Sequence, residues 1–237
     1  MSSITLGIIV VGTALLALYW IFYGQRKYND MLIPKRKTEL KAVLFDLDGV
    51  ILDSFEAWFN VFNHTRRNFN LKEISGEEFR NKAWGGSVKA DVNNYFKNSD
   101  AKEIEKLYKH LISKYVNKTK LMPDAKKVLD AIKKKNIKIG LVTNTFGETV
   151  TAILKFHKLE EYFDKVVNAD DVERVKPYPD PIFKLCENLK IMPDEAILVG
   201  DTKNDYKAGK AAGCFVVGLN TKGDLIIDEL SGLLGLI

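Results

Sequence analysis

Short runs of unbroken apolar residues alternate along most of this chain with longer stretches in which apolar positions recur every three or four residues. Runs of the first kind read as strands covered on both faces, and stretches of the second kind as amphipathic helices. The strand-like runs end at Asp46 and then fall at 137–143, 165–168, 196–200 and 214–219, with helical patterns between them at 124–135, 148–157, 179–189 and 204–212. This order predicts an α/β fold, a doubly wound parallel sheet with helices on both faces. One connection breaks the rhythm. From Asp53 to about Lys120 only helical patterns occur, among them Phe55, Phe59 and Phe62, and later Ile104, Leu107, Tyr108, Leu111, Ile112 and Tyr115. That is more chain than a crossover needs, so residues 54–120 are expected to form a small helical domain inserted into a core built from 41–53 and 121–237. Open α/β sheets bind ligands at the C-terminal ends of their strands, where such an insertion is placed to act as a lid.

The N-terminus follows a different pattern. Residues 4–23 carry no charged side chain and span about 30 Å as a helix, the thickness of a bilayer core. Tyr19, Trp20 and Tyr23 gather at the end of this run, where a membrane interface favours aromatics. A cleaved signal peptide fits poorly: no basic residue precedes the run, it is too long, and bulky residues stand where a small-residue cleavage site belongs. A single transmembrane helix is therefore expected, followed by a basic juxtamembrane linker at 24–40. Arg26, Lys27, Lys35, Arg36, Lys37 and Lys41 outweigh Asp30 and Glu39 after the apolar run, which places the remainder of the chain in the cytoplasm by the positive-inside rule. This patch also accounts for most of the net charge of +5, so the basic balance points to anionic lipid and gives no support to nucleic-acid binding. Cys186 and Cys214, the only cysteines, form no metal or disulfide motif and read as core residues of a reduced protein.

The candidate chemistry sits where the apolar runs stop. Asp46 and Asp48 close the first run, two residues apart and so on one face of an extended segment, and Gly49 lets the chain turn away. Taken alone the pair fits a solvated turn. Two carboxylates that close also call for a cation or a shared proton. Later runs end in Thr143 and Asn144, ahead of a helix whose N-terminus can receive an anion, and in Asp201, with Asp205 four residues on. Lys176 lies in the Pro-rich loop from Lys176 to Pro181, which restricts where the lysine can reach. Each of these has an ordinary reading as a cap or a surface charge, but their recurrence at successive strand ends points to phosphoryl transfer. Carboxylate oxygens from Asp46 and Asp201, with a backbone carbonyl, suit Mg²⁺, while Lys176, Thr143 and Asn144 can hold phosphoryl oxygens.

The segments FDLDGVILDS, VTNT, the lysine of KPYPDP and VGDTKNDYKAGKAAG resemble the four ordered motifs of the haloacid dehalogenase superfamily, in its phosphoglycolate phosphatase and β-phosphoglucomutase branch. The helical insertion is similar to the C1 cap of that branch. This resemblance implies an Mg²⁺-dependent phosphatase in which Asp46 is the nucleophile and Asp48 the general acid and base. It further implies metal ligation by Asp46, the Asp48 carbonyl and Asp201, support from Asp205 behind them, and a phosphoryl grip by Thr143, Asn144 and Lys176. The substrate implied is a small phosphorylated metabolite. Dehalogenases proper lack the second acid, which Asp48 supplies here. Mutases carry a histidine where this chain has Trp58, leaving a β-phosphoglucomutase-like phosphotransferase as the alternative enzyme. A membrane-tethered module that binds phosphoryl groups without turnover is the non-enzymatic alternative, and its usual trace, a missing nucleophile or metal acid, is absent. Gly85, Gly86 and Ser87 resemble the cap loop that reaches the site in this branch, and equally fit an interhelical turn. Phe55, Trp58, Phe59 and Phe62, at helical spacing, are expected in the core of the insertion.

Overall fold

The computed structural model describes residues 38–237. Its strands are β1 (Ala42–Phe45), β2 (Leu52–Asp53), β3 (Lys120–Leu121), β4 (Lys138–Val142), β5 (Lys165–Val167), β6 (Ala196–Gly200), β7 (Phe215–Leu219) and β8 (Leu225–Ile227). Helices α1 (Phe55–Asn68), α2 (Gly76–Lys82), α3 (Val88–Tyr95) and α4 (Ala101–Tyr115) lie between β2 and β3, followed by α5 (Ala125–Lys134), α6 (Gly147–His157), α7 (Asp180–Leu189) and α8 (Lys203–Ala212).

Six strands form one sheet in the order β5-β4-β1-β6-β7-β8, and every pairing in it is parallel. The sequence of β1 explains its central place. Val43 and Phe45 pack into the core formed with α5 and α6, whereas Ala42 and Leu44 enter the opposite core with α7 and α8. A strand buried on both faces has no polar side to show, hence its continuous apolar run. Cys186 and Cys214 are free thiols buried in that second core, as their sequence context predicts.

Two features have no counterpart in the sequence-based expectation. β8 adds a sixth strand, and β2 pairs with β3 in an antiparallel ribbon that matches Leu52 with Leu121 and Asp53 with Lys120. Strands of two or three residues contain too few positions to display a period. The ribbon clasps both ends of the insertion.

Helices α1 to α4 share a core of their own, rich in rings: Phe62 lies 5.1 Å from Phe79 and 5.4 Å from Phe96, centroid to centroid. Phe55, Phe59 and Phe62 behave as their spacing predicts. The apolar stretch 4–23 and the basic segment up to residue 37 lie outside the described residues; among the described residues no helix is long and apolar enough to cross a membrane.

Candidate active site

The chain leaves β1 at Phe45, but the Asp46 N–H still donates to Val199 O on β6 at 3.0 Å, which fixes Asp46 at the C-terminal edge of the sheet. Asp46 Oδ1 accepts from the Leu47 N–H at 2.7 Å and receives Lys176 Nζ at 2.8 Å, whereas Oδ2 carries none of these bonds. Gly49 then turns the chain with φ +80°, and a Cβ on it would lie 2.0 Å from Asp201 Oδ2. Only glycine combines that backbone angle with so close an approach of the first loop to the one after β6.

Lys176 is the hub of the floor. Its ammonium is buried and donates to Val142 O at 3.0 Å and to Asp205 Oδ1 at 2.7 Å, besides meeting Asp46. Burial by itself would lower its pKa, but the two carboxylates outweigh that and hold it raised. Asn144 secures the lysine from the main-chain side: Oδ1 accepts from the Lys176 N–H and Nδ2 donates to the Lys176 carbonyl, each at 3.0 Å. The Asn144 amide thus ties the Lys176 main chain in place while keeping one Nδ2 proton for another acceptor. Asp205 is engaged as well, because Oδ2 accepts from both the N–H and the hydroxyl of Thr202 in a capping box at the start of α8.

Asp48 occupies a different environment. Its Oδ1 accepts from Ser54 Oγ and from Trp58 Nε1 at 2.9 Å, and its Oδ2 from Thr145 Oγ1 at 2.7 Å. Three neutral donors hold this carboxyl, and the sequence marks none of them as its partner: Ser54 and Thr145 do not stand out, and Trp58 does so only at the position where mutases carry a histidine. Trp58 packs against the insertion's core as its spacing predicts, and its indole N–H reaches Asp48 as well. The signal available was slight: a polar atom on an aromatic residue is most often satisfied wherever it happens to be buried.

The expected anion site at the N-terminus of α6 is also modified. Its first N–H, that of Gly147, donates to Asp170 Oδ2 at 2.8 Å, so the chain's own carboxylate sits there. Thr143 remains well placed: its Oγ1 accepts from the Thr145 N–H at 3.1 Å and its hydroxyl proton makes no further bond.

Asp46, Asp48, Thr143, Asn144 and Lys176 line one cavity of about 80 Å³, bounded above by residues of the insertion. Gly85 and Gly86 reach its wall, and the Gly85 carbonyl accepts from Asn204 Nδ2 at 2.8 Å, which docks this loop on the core. Gly85 has φ +70°, and a Cβ there would lie 2.6 Å from Thr202 Cγ2. Ser87, grouped with the two glycines from the sequence, caps α3 by accepting from the Ala90 N–H at 3.3 Å and does not line the cavity.

Four carboxyl groups face a single ammonium on this floor. The imbalance drives the pKa of Asp46 well above the carboxylate range through burial and the neighbouring Asp205, only partly offset by Lys176. Asp201 is pushed up to about 7, mainly by burial and then by Asp205. Trp84 Nε1 donates to Asp201 Oδ2 at 3.0 Å, while Asp201 Oδ1 is buried with no hydrogen-bond partner among the described residues. One oxygen from each of Asp46, Asp201 and Asp205 falls within 4.8 Å of the others, the compass of a single ion. The oxygens of Asp205 are already spoken for, so the open donors are those of Asp46 and Asp201. An orphaned carboxylate oxygen beside a surplus of negative charge fits a hard divalent cation such as Mg²⁺.

A family model described as haloacid dehalogenase-like hydrolase matches residues 43–219, a span that includes every one of these site residues. The chain belongs to the haloacid dehalogenase-like hydrolases. Among relatives in this family, a protein named pyrophosphatase PpaX from Bacillus mycoides is 30% identical over 216 residues, covering 84% of this chain and 97% of its own length. A phosphoglycolate phosphatase from Aquifex aeolicus is 34% identical over 175 residues, covering 73% of this chain and 82% of its own. The crystal structure of a predicted phosphoglycolate phosphatase from Haemophilus somnus superposes with a TM-score of 0.70 at 25% identity, over 84% of this chain and 99% of that one. As a haloacid dehalogenase-like hydrolase with its acidic motif residues in place, the chain is an enzyme.

Proposed function

We propose that this hydrolase is an Mg²⁺-dependent phosphatase that cleaves a small phosphomonoester through an aspartyl-phosphate on Asp46. The observation that carries the proposal is the contrast between two acids in one cavity, Asp46 clamped by Lys176 and Asp48 held by three neutral donors. Asp46 Oδ2, free of those bonds, attacks phosphorus as the ester P–O bond breaks, and Asp48 delivers a proton to the departing alkoxide. Asp48 then takes a proton from water as that water attacks the aspartyl-phosphate, releasing inorganic phosphate and restoring the Asp46 carboxylate. Lys176 and the Thr143 hydroxyl hold phosphoryl oxygens, and Asn144 and Asp205 keep Lys176 in position. Asp46, Asp201 and the Asp48 carbonyl would hold Mg²⁺, which supplies neutralisation of the charge on the phosphoryl oxygens.

Trp58 weighs against the mutase alternative. An indole N–H donates and cannot accept, so it cannot pass a proton between Asp48 and a sugar hydroxyl. The relatives' names support phosphoryl hydrolysis in general while differing on the ester or anhydride cleaved.

In detergent, the full chain is expected to hydrolyse an aryl phosphate with Mg²⁺, to stop on addition of EDTA, and to recover with excess Mg²⁺; turnover indifferent to EDTA would rule out the metal-dependent mechanism. We also propose a single-pass anchor at residues 4–23 with the catalytic part in the cytoplasm, supported by the length of the apolar run and the basic flank behind it. The protein should then remain in the membrane pellet through a high-salt wash and leave it only with detergent. Release by salt alone would contradict a spanning helix.

A further inference from the structure

The catalytic floor accounts for the phosphoryl group, and the roof of the same cavity bears on what is attached to it. Rings dominate this roof, notably Phe62, Phe79, Trp84 and Phe146. Its polar features are the buried carboxyl of Asp91 on α3 and the hydroxyl of Tyr108 on α4, which donates to Asp91 Oδ2 at 3.0 Å. Asp91 Oδ1 carries no such bond. Among the described residues Lys176 is the only cationic side chain lining the cavity, and it lies on the phosphoryl side, paired with Asp46 and Asp205.

Several neighbouring cations on the insertion are engaged elsewhere, and Lys89, beside the lining residue Val88, is exposed and does not line the cavity. Lys109 lies over Phe146, 4.5 Å from the ring centroid, and pairs with Glu105 at 2.8 Å and Asp170 at 3.2 Å. Arg66 donates to the carbonyls of Lys72 and Tyr95, and Arg80 stacks on Phe55 at 3.8 Å. A leaving group with a carboxylate or a second phosphate would thus be desolvated among rings, beside a carboxyl, with no cation to meet it.

We propose that the substrate's leaving group is a small uncharged or cationic alcohol whose further hydroxyl or ammonium donor is received by Asp91. This rests on the phosphatase reading above and narrows it to a substrate class. It excludes as preferred substrates both a glycolate-type ester and pyrophosphate, the two classes named for the relatives. Burial in this apolar roof pushes the Asp91 carboxyl up to about 7, so a hydroxyl or ammonium donor brought to Oδ1 would favour its ionised form and an anion beside it the protonated one.

The test compares kcat/KM of the full chain, with Mg²⁺, for glycerol 1-phosphate, phosphoethanolamine, phosphoglycolate, pyrophosphate and phenyl phosphate. Glycerol 1-phosphate or phosphoethanolamine should exceed both anionic substrates by about tenfold or more. In Asp91→Asn, which keeps shape and loses charge, the ratio of phosphoethanolamine to phenyl phosphate should fall by about tenfold. Tyr108→Phe, which frees Asp91 Oδ2, should leave that ratio equal or raised, and it serves alone if Asp91→Asn does not fold. Preference for phosphoglycolate or pyrophosphate alongside good turnover of phenyl phosphate overturns this inference and leaves the phosphatase intact. An unchanged ratio in Asp91→Asn, or a lowered one in Tyr108→Phe, overturns it too. Failure to hydrolyse any ester, phenyl phosphate included, overturns the phosphatase reading and this one with it.

Discussion

Asp48→Asn is expected to reduce steady-state hydrolysis of an alkyl phosphate by about 10²- to 10⁴-fold, the range over which a positioned acid and base contributes. The fold around the residue should not change. Asn Oδ1 can accept from Ser54 and Trp58 as the carboxylate does, and Asn Nδ2 can donate to Thr145, whose hydroxyl is free to reverse its direction. What is lost is the transferable proton. An alkoxide leaves poorly without one, whereas a nitrophenolate leaves unaided, so the first step should survive with an activated aryl ester and the second, which needs a base for water, should fail. Rapid mixing with nitrophenyl phosphate should therefore show a burst of about one product per enzyme, followed by slow turnover. Equal slowing of both phases for both esters would mean that Asp48 acts through structure alone.

Lys176→Met is expected to lower the free energy of unfolding by about 3–5 kcal/mol, measured by urea denaturation of the full chain in EDTA. The lysine is the single cation between Asp46 and Asp205, and all three side chains are nearly inaccessible. Removing it strands two buried carboxyls, whose protonation then becomes the way to relieve the charge. The sign of the coupling gives a second check. Asp205→Asn in the Lys176→Met background removes one stranded charge and keeps most of the Thr202 cap, so the double variant should be more stable than Lys176→Met alone. A loss below about 1 kcal/mol, the range of exposed ion pairs, would show that the buried triad does not behave as one unit.

The parts of this enzyme legible in its sequence are those in which a periodic or terminal signal carries the physics. Alternate burial of β1 in two cores explains why its run is unbroken and why its end is conspicuous, so Asp46, Asp48 and Asp201 stand out as polar residues at the edges of apolar runs, and Lys176 by the prolines that follow it. Ser54, Trp58 and Thr145 do not, because their contact with Asp48 depends on how the insertion folds back over the sheet. Helical spacing sorts Phe55, Phe59 and Phe62 into the insertion's core and sorts Trp58 with them, yet the indole N–H needs a polar partner and finds it across the interface. Asn144 shows the converse. Its place after a strand fits a phosphate ligand, but gives no sign that the Pro-rich loop also brings the Lys176 main chain within reach of both ends of its amide. Asp91 and Tyr108 lie mid-helix, one polar side chain among many, and only the tertiary structure points them into the cavity.

The central claim is covalent: the phosphoryl group resides on Asp46 between the two steps. Acid quenching of the full chain during turnover, followed by digestion and mass spectrometry, tests it most directly, with Asp48→Asn used to slow the second step. The account predicts one phosphoryl group on the peptide containing Asp46, localised to that side chain, and both label and hydrolysis lost in Asp46→Asn. A phosphoryl group on any other residue, or undiminished hydrolysis by Asp46→Asn, would contradict it.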